Sequence, residues 1–425
     1  MNPFGYNSVC RFLILLSLLL SLGGSGAWGQ DDSSGFHFQT KGFVDTYHAV
    51  RSHSPHDFLS SRTRVRGEMN GQIGRSSFFV SLNATYNALL SKESGICLRE
   101  AYIDHSEDHW ALRLGRQLVI WGAADGVRIT DLLSPMDLTE FLAQDYDDIR
   151  MPINALRFSL FNEWAKFDAV VVPIFEGYKL PISLSNPWSI LALVRDVPGL
   201  SVKWNDATHR PTTRLSNIEY GGRLSFTFPG IDFSFSGLHT WNKMPVLETT
   251  FASPKEMQLM ARYYRMGFVG ADFSKPLGAF VLRGETAFNI DKHFTFSHVV
   301  PQRGFNSLNW LLGLDWYGPE DWMVSAQFSQ EDIFGYRDYI SQEQHASLMT
   351  LRVSKKLIEN TLELSNFSYF DLNNRACFSR FAADYSLSDQ IRLTLGYDFF
   401  SAKKGGMFKV FENNSELWCK ARYSF

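Results

Sequence analysis

Three arginines at alternate positions, Arg62, Arg64 and Arg66, are the residues of this sequence best suited to bind a ligand. A guanidinium group presents a planar fork that can hold both oxygens of a carboxylate or a phosphate. Alternate residues of a β-strand point to the same face, so the three cations would form a ladder along one wall. The ladder either attracts and guides anions, or forms salt bridges with neighbouring strands that stiffen the wall.

The end of the chain indicates what kind of wall this is. Residues 415–425 alternate apolar side chains with polar ones or Trp418, and the chain ends on Phe425. The apolar members are Leu417, Cys419, Ala421, Tyr423 and Phe425. A strand with one apolar face and one polar face suits a transmembrane barrel. A terminal Phe resembles the last strand of bacterial outer-membrane barrels, and we expect the barrel-assembly machinery to recognise it.

The beginning of the chain is a predicted secretory signal peptide, residues 1–29. Arg11 precedes an apolar run over residues 12–22, and Ala27-Trp28-Gly29 offers a small-x-small cleavage pattern. The alternative is a membrane anchor, but the run is about half the roughly 20 residues that a spanning helix needs. Only helices and closed barrels satisfy the backbone within lipid. We therefore expect residues 30–425 to form a single barrel domain in the outer membrane of a Gram-negative bacterium.

Alternating runs of about ten residues predict 18 strands, with 16 as the alternative count. Their connections are short and long in turn, which is typical of periplasmic turns and extracellular loops. The fold class is therefore all-β, a transmembrane antiparallel β-barrel. The predicted strands are 36–48, 58–72, 76–89, 96–106, 109–118, 153–162, 165–175, 218–228, 231–244, 258–274, 278–292, 305–317, 321–333, 344–356, 360–371, 375–387, 390–402 and 415–425.

The alternation places further charged residues on the same lumen-facing side as the arginine ladder. A charge at the bilayer midplane on the lipid face costs about 2–4 kcal/mol, so this assignment is strongly constrained. The predicted lumen-binding residues beyond the ladder are Arg113, Arg157, Arg283, Arg352, Arg380, Arg392, Glu100 and Glu285. The set is mainly basic and predicts a positive lumen.

The connection after the fifth strand, residues 118–152, is long enough to fold into the barrel. Ser134-Pro135 followed by Asp137 predicts a helix start, so we expect a short helix near 135–143. Leu138, Phe141 and Leu142 would pack on the inner wall, and acids would face the arginines. The predicted constriction residues are Asp125, Asp131, Asp137, Glu140 and Phe141. The alternative is a surface loop whose acids bind divalent cations and lipopolysaccharide.

Composition and motifs exclude several functions. Aromatic residues make up 15% of the chain, as a barrel with interfacial girdles requires, and the net charge of -3 argues against a nucleic-acid partner. Cys10 would leave with the signal peptide, and Cys97, Cys377 and Cys419 are predicted to face lipid. The chain has no G-x-S-x-G motif and no Cys/His spacing of a metal site. We predict no enzyme activity, no metal and no cofactor.

Several short runs together resemble a family of outer-membrane barrels of unknown function, often found beside resistance-nodulation-division type lipid exporters. The runs are Leu98-Arg99-Glu100-Ala101-Tyr102, Arg113-Leu114-Gly115-Arg116-Gln117, Trp121-Gly122, Ser134-Pro135-Met136-Asp137, Leu282-Arg283-Gly284-Glu285 and Leu312-Gly313-Leu314-Asp315-Trp316. The strand count also resembles alginate-export barrels. The resemblance implies transport across the outer membrane, with lipid-like cargo as one option.

These observations predict an outer-membrane channel, a porin, for passive and selective passage of small anionic solutes through a basic lumen. Outer-membrane lipid and lipopolysaccharide would surround it. The alternatives are a component of a lipid or hydrophobic-compound pathway that works with a periplasmic carrier, and a surface receptor or scaffold. A wet, charged passage favours the channel, whereas a lateral gap in the wall favours lipid.

Overall fold

The computed structural model describes residues 36–141, 146–191, 199, 201–205, 209–253, 255–297 and 300–425. The predicted signal peptide and Leu142 lie outside these ranges. In the described part of the chain, no helix is long and apolar enough to cross a membrane.

Eighteen antiparallel strands form one closed sheet, as the sequence predicts. The strands are β1 (Phe36–Arg51), β2 (Phe58–Ile73), β3 (Ser76–Asn87), β4 (Gly95–Ser106), β5 (Trp110–Gln117), β6 (Ile153–Phe161), β7 (Ala165–Val172), β8 (Glu219–Phe228), β9 (Ile231–Trp241), β10 (Arg265–Leu277), β11 (Phe280–Lys292), β12 (Phe305–Tyr317), β13 (Trp322–Ile333), β14 (His345–Leu357), β15 (Leu362–Asp371), β16 (Ala376–Ser386), β17 (Ile391–Ala402) and β18 (Glu416–Ser424). β1 pairs with both β2 and β18, and Phe425 exchanges backbone hydrogen bonds with Gly42. Closure leaves no sheet edge along the seam.

The two ends of the barrel differ, because short turns gather at one end and long loops at the other. The predicted turns at 74–75, 107–108, 162–163 and 229–230 lie at the short-turn end. One predicted turn, Pro276-Leu277, is wrong, since β10 runs through Leu277. Gly278 makes that turn with a φ of +63°, a conformation that glycine adopts without a steric penalty.

Exposure follows the predicted alternation. Leu82, Ile103 and Leu114 are 46%, 62% and 56% exposed and point to the lipid side. Cys97 departs from its predicted lipid-facing position. A β-bulge at Arg99 pairs Ser81 with Glu100 but Leu82 with Leu98, so Cys97 stands opposite lumen-facing Asn83. The extra residue in the bulge moves the preceding residues of β4 to the opposite face of the wall, which a prediction from strict alternation misses.

Two other predicted elements are corrected. The predicted strand 258–274 is two strands, Glu256–Arg262 and β10. Glu256–Arg262 belongs to a small loop sheet with Val246–Ser253 and Ser201–Asn205.

The predicted helix at 135–143 is also wrong over its described residues, 135–141. The backbone of Asp137 and Leu138 donates to Ile149 and Lys179 at 2.7 and 2.8 Å instead. Neighbouring chain segments satisfy these groups, so a costly isolated helical turn is not needed there. Within the described residues, this loop has a short helix at α1 (Tyr146–Ile149), and another, α2 (Met407–Val410), lies before β18.

Candidate functional site: the narrowed lumen

The described parts of the connection 118–152, residues 118–141 and 146–152, fold into the barrel and are here called the inward loop. The backbone N–H of Leu118 donates to Glu100 at 3.0 Å where the chain leaves the wall. An apolar row on the loop then packs against apolar residues of the inner wall. The loop residues are Val119, Trp121, Ile129 and Leu133, and the wall residues include Leu238, Met266, Phe268, Ala287 and Leu311. Full burial of one large apolar side chain contributes about 1.5–3 kcal/mol, so this row can hold the loop in place.

Glu285 on β11 anchors the first half of the loop. Its carboxylate accepts backbone N–H groups from Ala123, Ala124 and Thr130, the last two at 2.5 and 3.2 Å, and the Thr130 hydroxyl at 3.0 Å. Arg283 donates to the Ala123 carbonyl at 2.9 Å. Gly122 has a φ of +95°, and a Cβ there would lie 2.8 Å from the Glu285 carboxylate. The site requires glycine at this position for both reasons.

The tip of the loop reaches the opposite wall. β5 and β14 lie nine strands apart in the 18-stranded ring, yet Asp125 forms an ion pair with Arg352 of β14 at 2.8 Å. Gln327 and Tyr369 also hold the tip, through Asp125 and the Gly126 carbonyl. Both side chains of the ion pair remain about 40% exposed, at 38% and 41%. Water therefore reaches the contact between loop and wall.

The arginine ladder binds the second half of the loop. Arg62 pairs with Glu140, and both Arg64 and Arg66 pair with Asp148, at 2.9 and 2.8 Å. Arg64 also pairs with Asp45 of β1 at 2.7 Å. The structure thus brings the ladder into direct contact with loop acids, and does not separate the two charges across an open gap.

The other two predicted constriction acids pair elsewhere. Asp131 lies 3.2 Å from Arg150 and 3.4 Å from Arg128, all three on the loop itself. Asp137 lies 3.3 Å from Lys179 of the next long loop. Both stabilise the folded loops, and their ion pairs are with residues other than the ladder.

Most of the remaining predicted arginines form salt bridges with neighbouring strands. The pairs are Arg113 with Asp104 at 2.5 Å, Arg157 with Asp168 at 3.0 Å, Arg283 with Asp315 at 2.7 Å and Arg380 with Asp398 at 2.6 Å. Arg392 is exposed near the short-turn end, opposite Arg422. These contacts match the wall-stiffening interpretation, and a role of these residues in binding solute stays a prediction.

A family model described as a protein of unknown function, DUF1302, matches residues 25–398. This chain belongs to the DUF1302 family. No curated protein matches it.

Solved barrels share the fold of this DUF1302 protein. OccAB1 of Acinetobacter baumannii is similar at a TM-score of 0.54 and 10% identity, over 91% of this chain and 96% of that one. OccK3 (OpdO) of Pseudomonas aeruginosa is similar at a TM-score of 0.53 and 10% identity, over 91% of this chain and 95% of that one. OccD3 (OpdP) of Pseudomonas aeruginosa is similar at a TM-score of 0.52 and 10% identity, over 91% of each chain. These likenesses show a porin-like outer-membrane barrel fold.

A basic cavity of about 430 Å³ lies in the DUF1302 barrel between the inward loop and β2–β5. Seven cationic and four anionic side chains line it, a net charge of +3. The cations are Arg62, Arg64, Lys92, Arg99, Arg116, Arg150 and Lys179. The sequence pattern found the first two, whereas the others lie in loops, beside the bulge or at a strand end.

An aromatic cluster at the long-loop end was missed by the sequence reasoning, apart from Phe141. Phe141 is 3% exposed and its ring centre lies 4.2 Å from that of Phe411. Trp188, from another loop, and Phe408, from the same loop as Phe411, pack beside them. The only sequence signal was the apolar spacing of Phe408 and Phe411. Three loops thus pack together against the inner wall of the DUF1302 barrel.

Proposed function

We propose that this protein is an outer-membrane channel through which small solutes diffuse passively, with a preference for anions. The Asp125–Arg352 ion pair carries the proposal, because it joins the loop tip to the far wall while about 40% of each side chain stays exposed. Because water reaches both side chains of this ion pair, the pair borders a water-filled passage. In a loop that only plugged the barrel, the same ion pair would be buried.

Charge supports the anion preference. Water-exposed charges in a low-dielectric wall focus the electric field and raise the local concentration of counter-ions. The basic cavity has a net charge of +3 and lies beside the inward loop at the long-loop end. An anion entering from that end meets this field before the narrow region.

Reversal potentials in planar bilayers test the proposal. We expect discrete conductance steps. Under a tenfold KCl gradient, the sign of the reversal potential should show that chloride passes more readily than potassium. Arg99→Gln and Arg150→Gln together should shift the potential toward zero, whereas Arg75→Gln, whose ion pairs lie at the short-turn end, should not. A folded barrel that shows no conductance steps would refute the channel.

A further inference from the structure

The barrel wall is interrupted beside β4. This strand pairs with β3 along its whole length, from Gly95 to His105, but with β5 only from Ala101 to Ser106. β5 ends at Gln117, where the chain turns into the lumen. On that side, none of the described strands pairs with residues 95–98.

The contacts around this interruption frame an opening, here called the β4 window. Glu93 and Lys179 form an ion pair above it, at the long-loop end. Arg116 lies below it and approaches Glu176 of the next long loop, Nη1 to Oε1, at 3.4 Å. Gly95 stands in open space, since a Cβ built there meets nothing within 4 Å. The window therefore has polar residues on two sides and, on the third, the part of β4 with which β5 does not pair.

The two faces of the window differ in chemistry. On the lumen side it opens into the basic cavity, with Cys97, Arg99 and Arg150 in the lining. Ile96 and Leu98 line the same cavity and are 59% and 45% exposed on the lipid-facing parity of β4. The site thus joins a cationic interior to an apolar exterior within one strand.

We propose that the β4 window admits a single-chain amphiphile with a carboxylate head from the outer leaflet into the basic cavity. The head would meet Arg99, Arg116 and Arg150, whose guanidinium forks suit a carboxylate. The chain would lie along Ile96 and Leu98. This lateral route goes beyond the channel and does not depend on ion passage through the lumen.

Cys97 is a native reporter for this site. It is exposed and lines the cavity, whereas Cys377 and Cys419 lie on the opposite, lipid-facing parity of β16 and β18. The double variant Cys377→Ser and Cys419→Ser leaves Cys97 as the single thiol of residues 30–425. Labelling by N-ethylmaleimide, which is uncharged, then reports occupancy without interference from membrane surface charge.

Three probes separate head from tail in zwitterionic nanodiscs. Dodecanoate carries both parts of the proposed ligand, acetate only the head and dodecanol only the tail. We expect dodecanoate to slow labelling of Cys97 at least fivefold in a saturable way, and the other two to have no effect. Equal protection by acetate or by dodecanol, or no protection by dodecanoate, would overturn the lateral route.

Matched variants locate the entry point. Leu98→Trp places a bulky side chain at the window, while Leu82→Trp does so at its cross-strand partner, which is equally exposed but does not line the cavity. Leu98→Trp should abolish protection by dodecanoate, and Leu82→Trp should preserve it. Leu82→Trp should also keep the labelling rate without ligand and the ionic conductance. Protection that survives Leu98→Trp in a conducting barrel would refute the window and leave the channel intact.

Discussion

Arg64 and Arg66 hold one carboxylate between them: their Nη2 atoms lie 2.9 and 2.8 Å from the two Oδ atoms of Asp148. The three side chains are only 8–11% exposed. Removing one partner of a buried ion pair costs about 3–5 kcal/mol, because the other charge is left uncompensated. This contact therefore fixes the second half of the inward loop to β2.

Asp148→Asn should release this half of the loop. Two buried cations would lose their shared carboxylate, so we expect noisier and larger single-channel conductance, by about twofold, and a stronger anion preference. Asp57→Asn, which breaks a more exposed ion pair with Arg51 outside the lumen, is the control and should leave both unchanged. Identical current records for the two variants would show that Asp148 does not position the loop.

The loop contact should resist mild acid. Burial acts to raise the pKa of Asp148, but the Arg64 and Arg66 guanidinium groups outweigh it and hold this pKa well below its usual range. A depressed carboxyl pKa stabilises the fold above the unfolded value of about 4, and the stabilisation is lost as pH falls toward the folded value. Conductance should therefore stay constant from pH 8 to about pH 4 and rise only below it. A rise already at pH 6, absent in Asp148→Asn, would contradict the assignment.

Glu285→Ala should loosen the first half of the loop. Hydrogen bonds to a charged acceptor contribute about 1.5–3 kcal/mol each, and this carboxylate accepts four. We expect a protease to cut within residues 122–130 in the variant while the barrel keeps its heat stability. Glu363→Ala, on β15 near the short-turn end, is the matched control. Resistance of Glu285→Ala to cleavage would show that apolar packing alone seats the loop.

Surface labelling tests the orientation in the membrane. Single cysteines at Leu215 and Lys404, both exposed at the long-loop end, should react on intact cells carrying an otherwise cysteine-free protein. Cysteines at Glu163 and Ser388, in short turns, should react only after the outer membrane is permeabilised. The reverse pattern would place the long loops in the periplasm.

Much of the barrel could be predicted because a charged side chain on the lipid side costs free energy, so the charged residues of each strand must face the lumen. A strand such as β17 alternates strictly, with Leu393 and Leu395 exposed and Thr394 and Asp398 buried, so its register follows from the residue types. The inward fold of residues 118–152 followed from length and apolar content. Three further expectations stay predictions: the signal peptide, the periplasmic carrier, and the recognition of Phe425 by the barrel-assembly machinery.

The site itself was only partly predictable. The sequence placed Glu140 and the ladder on facing surfaces, but Glu285 was predicted to face solute and in fact binds loop backbone. Contacts between loops produce no regular spacing in the sequence, so the packing of Trp188 on Phe141 could not be predicted from it. A single bulge at Arg99 moved Cys97 from the lipid to the lumen.

Single-channel conductance of a loop deletion tests the central claim most directly, that the inward loop narrows a water-filled lumen. Gln117 and Ile153 are paired neighbours, so a Gly-Ser hairpin can replace residues 119–151 without disturbing β5 or β6. We expect a heat-stable barrel whose conductance is severalfold higher than that of the parent and whose loop-dependent selectivity is lost. Equal conductance in the deletion and the parent would show that the loop does not set the passage, and would contradict the account.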